Sequence, residues 1–178
     1  VKARVKAEAL REFIIGKERV IVMGHKMADV DSFGAAIGIY RAASAMEKKV
    51  NIVLNDISVT LRPLYEAFKN NPAYPENLFV SSHEAEELAD ENTMVVVVDT
   101  NKPRMTECER LLKLTRTIAV LDHHRQSEEV IENAVLSYIE PYASSACEMV
   151  AEVLQYISDD LKLNSMEANS MYAGILVD

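Results

Sequence analysis

The sequence holds only two cysteines in 178 residues, Cys108 and Cys147, and neither belongs to a Cys-x-x-Cys pair. That excludes a disulfide scaffold and points to a reducing compartment. Long apolar runs are also missing. The longest, residues 94–98, falls far short of the roughly 20 residues that span a bilayer, and no stretch has the basic-then-apolar pattern of a secretory signal. Glycine is scarce, with five in the chain, and neither a Gly-x-Gly-x-x-Gly fingerprint nor a P-loop occurs. No internal repeat, low-complexity tract or Pro/Gly/Ser linker divides the chain, so its length suits one domain. Basic residues number 19 against 28 acidic ones, a net charge of −9. This shortage speaks against gripping a nucleic-acid polymer, which takes a basic surface. It does not exclude a small anion held through metal ions.

With 49% hydrophobic and 26% charged residues, the chain can bury a core, and disorder is excluded. Residues 3–15 place Val5, Ala9, Leu10, Phe13 and Ile14 on one face of an amphipathic helix. Short apolar runs at 19–24, 50–54, 78–80, 94–99 and 117–121 read as buried strands, with 134–139 as an edge strand. Helical stretches at 32–46, 62–69, 83–89, 104–114, 145–156 and 166–177 separate or follow them. Apolar strands without polar alternation, interleaved with helices, predict an α/β fold: a doubly wound, mainly parallel sheet with helices on both faces. Ligands of such sheets gather at the carboxyl ends of the strands.

Three predicted strands end alike. One leads into Gly24-His25-Lys26-Met27-Ala28-Asp29-Val30-Asp31-Ser32, one into Asp99-Thr100, and one into Asp122-His123-His124. Each residue has an ordinary structural role available: Asp31 or Ser32 as a helix cap, Asp29 in a turn, and the two adjacent histidines as a surface pair. His83, among Glu84, Glu86 and Glu87, reads as a solvated helix start. Acid and imidazole stacked at three strand ends argue for more. Carboxylates packed so closely cannot all stay ionised without a cation. Imidazole and carboxylate without thiolate suit Mn²⁺, Fe²⁺ or Zn²⁺. The number of donors would serve two ions about 3.5–4 Å apart, an arrangement that steadies attack on phosphorus. Elsewhere, Ser145 and Glu148 fit a capping box, Met94, Met149, Met166 and Met171 sit at core-like positions, Cys147 reads as a small buried hydrophobe, and Gly34 and Gly38 would allow close helix–sheet packing.

Asp122-His123-His124, taken with Gly24-His25-x-x-x-Asp29-x-Asp31-Ser32, Val98-Asp99 and Gly174-Ile175-x-x-Asp178, resembles the DHH phosphoesterase superfamily. The motifs occur in the family's order and cover nearly the whole chain. The stretches Gly24-His25-Lys26, Gly34-Ala35-Ala36-Ile37-Gly38, Asp122-His123-His124-Arg125 and Glu140-Pro141-Tyr142-Ala143-Ser144-Ser145 are similar to those of the GdpP/YybT-type cyclic-di-AMP phosphodiesterases of bacteria. One departure is Ala28, where the superfamily often has Pro. The resemblance implies two Mn²⁺ ions. One is held by His25, Asp29 and Asp99, the other by Asp31, Asp99, His123 and Asp178, with Asp99 bridging. Asp122 and His124 become catalytic-site groups that orient ligands or touch a phosphate, and Arg125 a candidate phosphate contact.

The implied reaction is manganese-dependent hydrolysis of cyclic-di-AMP to pApA by a water that the two ions activate. The alternatives are an inorganic pyrophosphatase or an oligonucleotide-degrading nanoRNase of the same superfamily, or a metal-binding segment inactive without a second domain. The expected partner is a cyclic dinucleotide or other small phosphate ester, with no nucleic-acid polymer and no membrane contact from this segment; a homodimer of the parent protein is left open. The chain opens on Val1 and stops at Asp178, which reads as a piece of something longer: residues 1–18 as a connector helix from upstream domains, and 19–178 as the DHH phosphoesterase domain, with a downstream DHH-associated domain absent. The implied setting is a cytoplasmic domain, in a family with membrane-anchored members.

Overall fold

Runs of β-branched residues with no polar alternation become strands covered on both faces. The computed structural model describes residues 2–177. In it, β1 (Arg19–Met23), β2 (Lys49–Val53), β3 (Phe79–Val80), β4 (Thr93–Val98), β5 (Thr117–Asp122) and β6 (Leu136–Ile139) form one sheet. The order is β3-β2-β1-β4-β5-β6, with every neighbouring pair parallel. The residues expected at an edge strand do form the outermost strand, β6. Helices α1 (Lys2–Ile15), α2 (Val30–Ala45), α6 (Ala146–Ile157) and α7 (Ser165–Val177) belong to the core on one face, with α3 (Arg62–Lys69) at its edge. The shorter α4 (Ser82–Leu88) and α5 (Leu111–Leu114) cover the other.

The two cores divide each strand by parity, as the pleat requires. Val20, Val22, Val96, Val98 and Leu121 face the larger cluster, while Ile21, Met23, Val95, Val97 and Val120 face the smaller. Strand order reverses between the adjacent β1 and β4. That switch point leaves a crevice outside their carboxyl ends, the usual ligand position in open α/β sheets.

Several expectations need correction. In α1 the buried stripe is Ala3, Ala7, Leu10 and Ile14, at spacings of four, three and four, and Val5 is exposed. Residues 104–114 do not form one helix. A 3₁₀ turn at Pro103–Met105 and the single turn of α5 replace it, because the intervening backbone pairs with another loop: Glu107 N donates to Gly24 O (2.9 Å). Ser145 caps α6 by accepting from Glu148 N, but the Glu148 carboxylate turns to Ser144 N and Oγ, so half of the expected box forms. The complete capping box is at α4, between Ser81 and Glu84. Met94, Met149 and Met171 are buried, whereas Met166 packs half-buried against the core.

Gly34 and Gly38 serve contacts between helices rather than between helix and sheet. A Cβ at Gly34 would lie 2.7 Å from both Cys147 Sγ on α6 and Ser170 O on α7. The carbonyl cannot swing aside as a side chain would. Gly34→Ala is therefore expected to cost about 1–3 kcal/mol, the usual range for overpacking. That corresponds to a melting temperature lowered by about 2–12 °C for a domain of this size, readable by circular dichroism. An unchanged melting temperature would show that α2 and α7 have slack. The same helices are tied by a buried network. Glu167 on α7 accepts from Arg41 Nε (3.0 Å), Arg41 Nη2 (2.6 Å) and Tyr74 Oη (2.8 Å).

Candidate metal centre

The site is assembled from the three loops that leave β1, β4 and β5. After β1, Gly24 keeps the crossing tight, since a Cβ there would run into Ser32 Oγ and approach Val98 O. His25 forms an isolated bridge with Thr106, and Lys26 N donates to Met105 O at 2.7 Å, so the β1 and β4 loops are bonded backbone to backbone. Met27 has a left-handed backbone (φ 57°), a strained state for its side chain that the surrounding bonds maintain. Asp29, not Asp31 or Ser32, is the N-cap of α2, with Oδ1 accepting from Ser32 N at 2.8 Å.

Asp31 points the other way. Its two carboxylate oxygens accept from Ala146 N (2.9 Å) and Cys147 N (2.8 Å), buried amides of the first turn of α6 that have no acceptor within the helix. Asp31 Oδ2 also lies 3.6 Å from His123 Nε2. Asp99, 2% exposed, has φ 62°, a left-handed conformation that Asp tolerates better than most side chains. Its Oδ2 stands 3.2 Å from His25 Nε2 and its Oδ1 3.2 Å from His123 Nε2. One buried carboxylate thus faces two imidazoles, an oxygen to each. His25 Nε2 is also 3.6 Å from Asp29 Oδ2. His25 Nδ1 lies 2.9 Å from Lys26 O. A carbonyl only accepts, so Nδ1 carries hydrogen and Nε2 is the nitrogen turned to the carboxylates.

Behind this row, the fully buried Asp122 places Oδ1 2.7 Å from His124 Nδ1, and its Oδ2 accepts from Asn101 Nδ2 at 2.7 Å. Asn101 Nδ2 reaches His124 O as well, at 3.3 Å. The sequence reading missed Asn101 as the holder of Asp122. Its position two residues after Asp99 was the available signal.

The electrostatics are those of too many acids in a dry place. Burial, opposed by a hydrogen bond from His25 and reinforced by the nearby Asp31 and Asp29 charges, raises the Asp99 carboxyl to about 6. Hydrogen bonds to Asp29 and Asp99 raise His25 to about 11, against desolvation. Desolvation opposes ionisation of Asp29, yet its bonds from His25 and from Ser32 N hold it down at about 2. His124 is raised by its hydrogen bond to Asp122.

Two sets of ligand atoms each lie within 4.8 Å of one another: His25, Asp29 and Asp99, and Asp99, Asp122, His123 and His124. Asp99 is common to both. Imidazole and carboxylate donors with a neighbouring repulsion to relieve are what a borderline-hard divalent ion requires, so the residues fit the metal the sequence reading called for. The structure gathers His25, Asp29, Asp31, Asp99, Asp122, His123 and His124 at one sheet edge; Asp178 lies outside the described residues. The cluster opens into a cavity of about 630 Å³, with Arg125 in its lining.

Fold and site together define a parallel α/β domain with a carboxylate–histidine cluster at its switch point. The chain belongs to the DHH family: residues 19–175 match the DHH family, N-terminal domain. It is 43% identical over 182 residues to the cyclic-di-AMP phosphodiesterase GdpP of Bacillus subtilis, an alignment covering all of this chain and 27% of that protein. It is 37% identical over 180 residues to the cyclic-di-AMP phosphodiesterase PdeA of Listeria monocytogenes, again over all of this chain and 27% of the relative. Among solved structures, an exopolyphosphatase-related protein from Bacteroides fragilis shares the fold, with a TM-score of 0.78 at 17% identity over 97% of this chain and 49% of that one. RecJ from Thermus thermophilus in complex with Mn²⁺ superposes with a TM-score of 0.56 at 17% identity, over 97% of this chain and 23% of its own. The chain thus spans about a quarter of the curated relatives it matches. Among the described residues, no helix is long and apolar enough to cross a membrane.

Proposed function

We propose that this chain is the metal-binding core of a manganese-dependent phosphodiesterase that opens cyclic-di-AMP to pApA. The observation that carries the reading is Asp99, whose two oxygens face His25 and His123 at equal distances. The relatives named for that activity, aligned over the whole chain, support the choice of substrate. In this reading His25, Asp29 and Asp99 hold one Mn²⁺, and Asp31, Asp99, His123 and Asp178 the other. Bound there, the ions would supply Lewis-acid stabilisation of the charge building on the phosphoryl oxygens and would acidify the attacking water.

The chain's own residues do the rest. Lys26 O fixes the His25 tautomer. The α6 amides orient Asp31, and Asn101 orients Asp122. His124, with Nδ1 tied to Asp122 and its protonated form favoured by that bond, has Nε2 left to donate to a phosphate oxygen. The catalytic roles therefore fall to Asp122 and His124, and Arg125 in the cavity wall offers a further phosphate contact. The domain boundaries follow the same reading, with residues 1–18 as a connector and 19–178 as the catalytic core.

The test is to give the full-length protein Mn²⁺ with cyclic-di-AMP, pyrophosphate or pApA and to resolve the products by chromatography. Preferred turnover of cyclic-di-AMP to pApA is expected. Turnover of pyrophosphate or pApA alone would assign the chain to a different activity of the family, and no turnover of any would refute the enzyme reading.

A further inference from the structure

Four cations line the same cavity as the carboxylates: Lys26, Lys102, Arg104 and Arg125. They stand against four acids there, Asp29, Asp31, Asp99 and Asp122, in a chain whose net charge is −9. Two divalent ions on the acids would turn this balance into a positive excess. One phosphodiester group carries a single negative charge and leaves most of that excess unanswered. A substrate with a second phosphate answers more of it.

Three of these cations sit on backbone that is held in place. Lys26 N is bonded to Met105 O, and the His25–Thr106 bridge follows directly. Lys102 N donates to Thr100 Oγ1 at 3.3 Å. Pro103 stands between Lys102 and Arg104 and opens the 3₁₀ turn, fixing the local φ. Ile131 N donates to Asn101 O at 3.0 Å, tying in the loop after β5. Among the described residues neither Lys26 nor Lys102 has an acidic partner. Arg104 Nε reaches Glu129 at 2.7 Å with both side chains more than half exposed, a pairing of small worth that a phosphate can replace with two parallel hydrogen bonds. None of the three is a metal donor, so the proposed chemistry leaves them without a task.

We propose that Lys26, Lys102 and Arg104 form a cationic wall that holds a second phosphate of the substrate while the first reacts at the carboxylate–histidine cluster. The site then selects esters with two separated phosphates over those with one. This rests on the phosphodiesterase reading and adds to it the element that discriminates by charge. At exposed side chains, where solvent screens the charge, each such contact to phosphate is expected to change affinity about threefold.

The test uses the full-length protein loaded with Mn²⁺ and titrates it calorimetrically with pApA, which has two phosphates, and with AMP, which has one. Wild type is expected to bind pApA at least tenfold more tightly than AMP. In the K26Q/K102Q/R104Q variant that ratio is expected to fall to threefold or less. If the triple variant fails to fold, the three single variants carry the test, each narrowing the ratio about threefold. A ratio within twofold of wild type in all of them overturns the wall. Turnover of cyclic-di-AMP by wild type is followed in parallel. An active enzyme with an unchanged ratio overturns the wall alone, while an inactive wild type overturns the phosphodiesterase reading and the wall with it.

Discussion

Asp99→Asn is expected to reduce cyclic-di-AMP hydrolysis by the full-length protein about 10³-fold or more, and to abolish the rise in melting temperature expected of this chain with Mn²⁺. Asn keeps the size of Asp and accepts the left-handed backbone at φ 62°, so the fold is retained. It loses the charge and one acceptor oxygen, and could no longer serve both metals of the proposed centre. Losing the several kcal/mol that two shared ions would supply to the charged transition state would amount to roughly three powers of ten in rate. In the wild-type chain, Mn²⁺ at about 100 times its dissociation constant would add roughly 2.7 kcal/mol of stability, or about 5–10 °C for a domain of this size. The variant should show less than about 2 °C on the same scale. A full metal-induced shift in Asp99→Asn would remove Asp99 from the centre.

Metal affinity is expected to rise about 100-fold between pH 6.5 and 8.5. In the metal-free chain His25 is raised to about 11 by its hydrogen bonds to Asp29 and Asp99, so throughout this range Nε2 carries a proton that an incoming ion must displace. One proton released per binding event makes the affinity climb about tenfold per pH unit. Near and below pH 6, Asp99 is protonated as well, and the dependence steepens towards two protons. Titration calorimetry in buffers of different ionisation heat counts these protons directly. The metal-free fold responds in the opposite sense. A His whose folded value exceeds its unfolded 6.5 stabilises fully below 6.5, and that contribution declines as pH rises towards 11. The melting temperature of the metal-free chain should therefore fall between pH 7 and 9 while metal affinity rises. Affinity that does not change with pH would contradict a protonated His25 at the site.

The residues legible from sequence are those whose position follows from strand direction alone. His25, Asp99 and the Asp122–His124 run each leave an apolar strand, so a parallel sheet carries them to one edge whatever the helices do. What escaped depends on contacts distant in sequence. Asp31 stands among the residues expected at the site, but what holds its carboxylate, the amides of α6 more than a hundred residues away, has no local signal. The stretch 104–114 has helical periodicity, but pairing with the His25 loop takes its backbone first. Val5 fits an apolar face by spacing, and only the packing of α1 against the core chooses Ala3 and Ala7 instead. Asn101, Lys26, Lys102 and Arg104 are ordinary loop residues in one dimension. Their convergence exists only once three loops are hydrogen-bonded to one another.

Anomalous diffraction at the manganese edge, from crystals of this chain grown with Mn²⁺, tests the shared-carboxylate centre most directly. Two peaks are expected on either side of the Asp99 carboxylate, one beside His25 and Asp29 and the other beside His123. A single peak, or two that do not share Asp99, would contradict it.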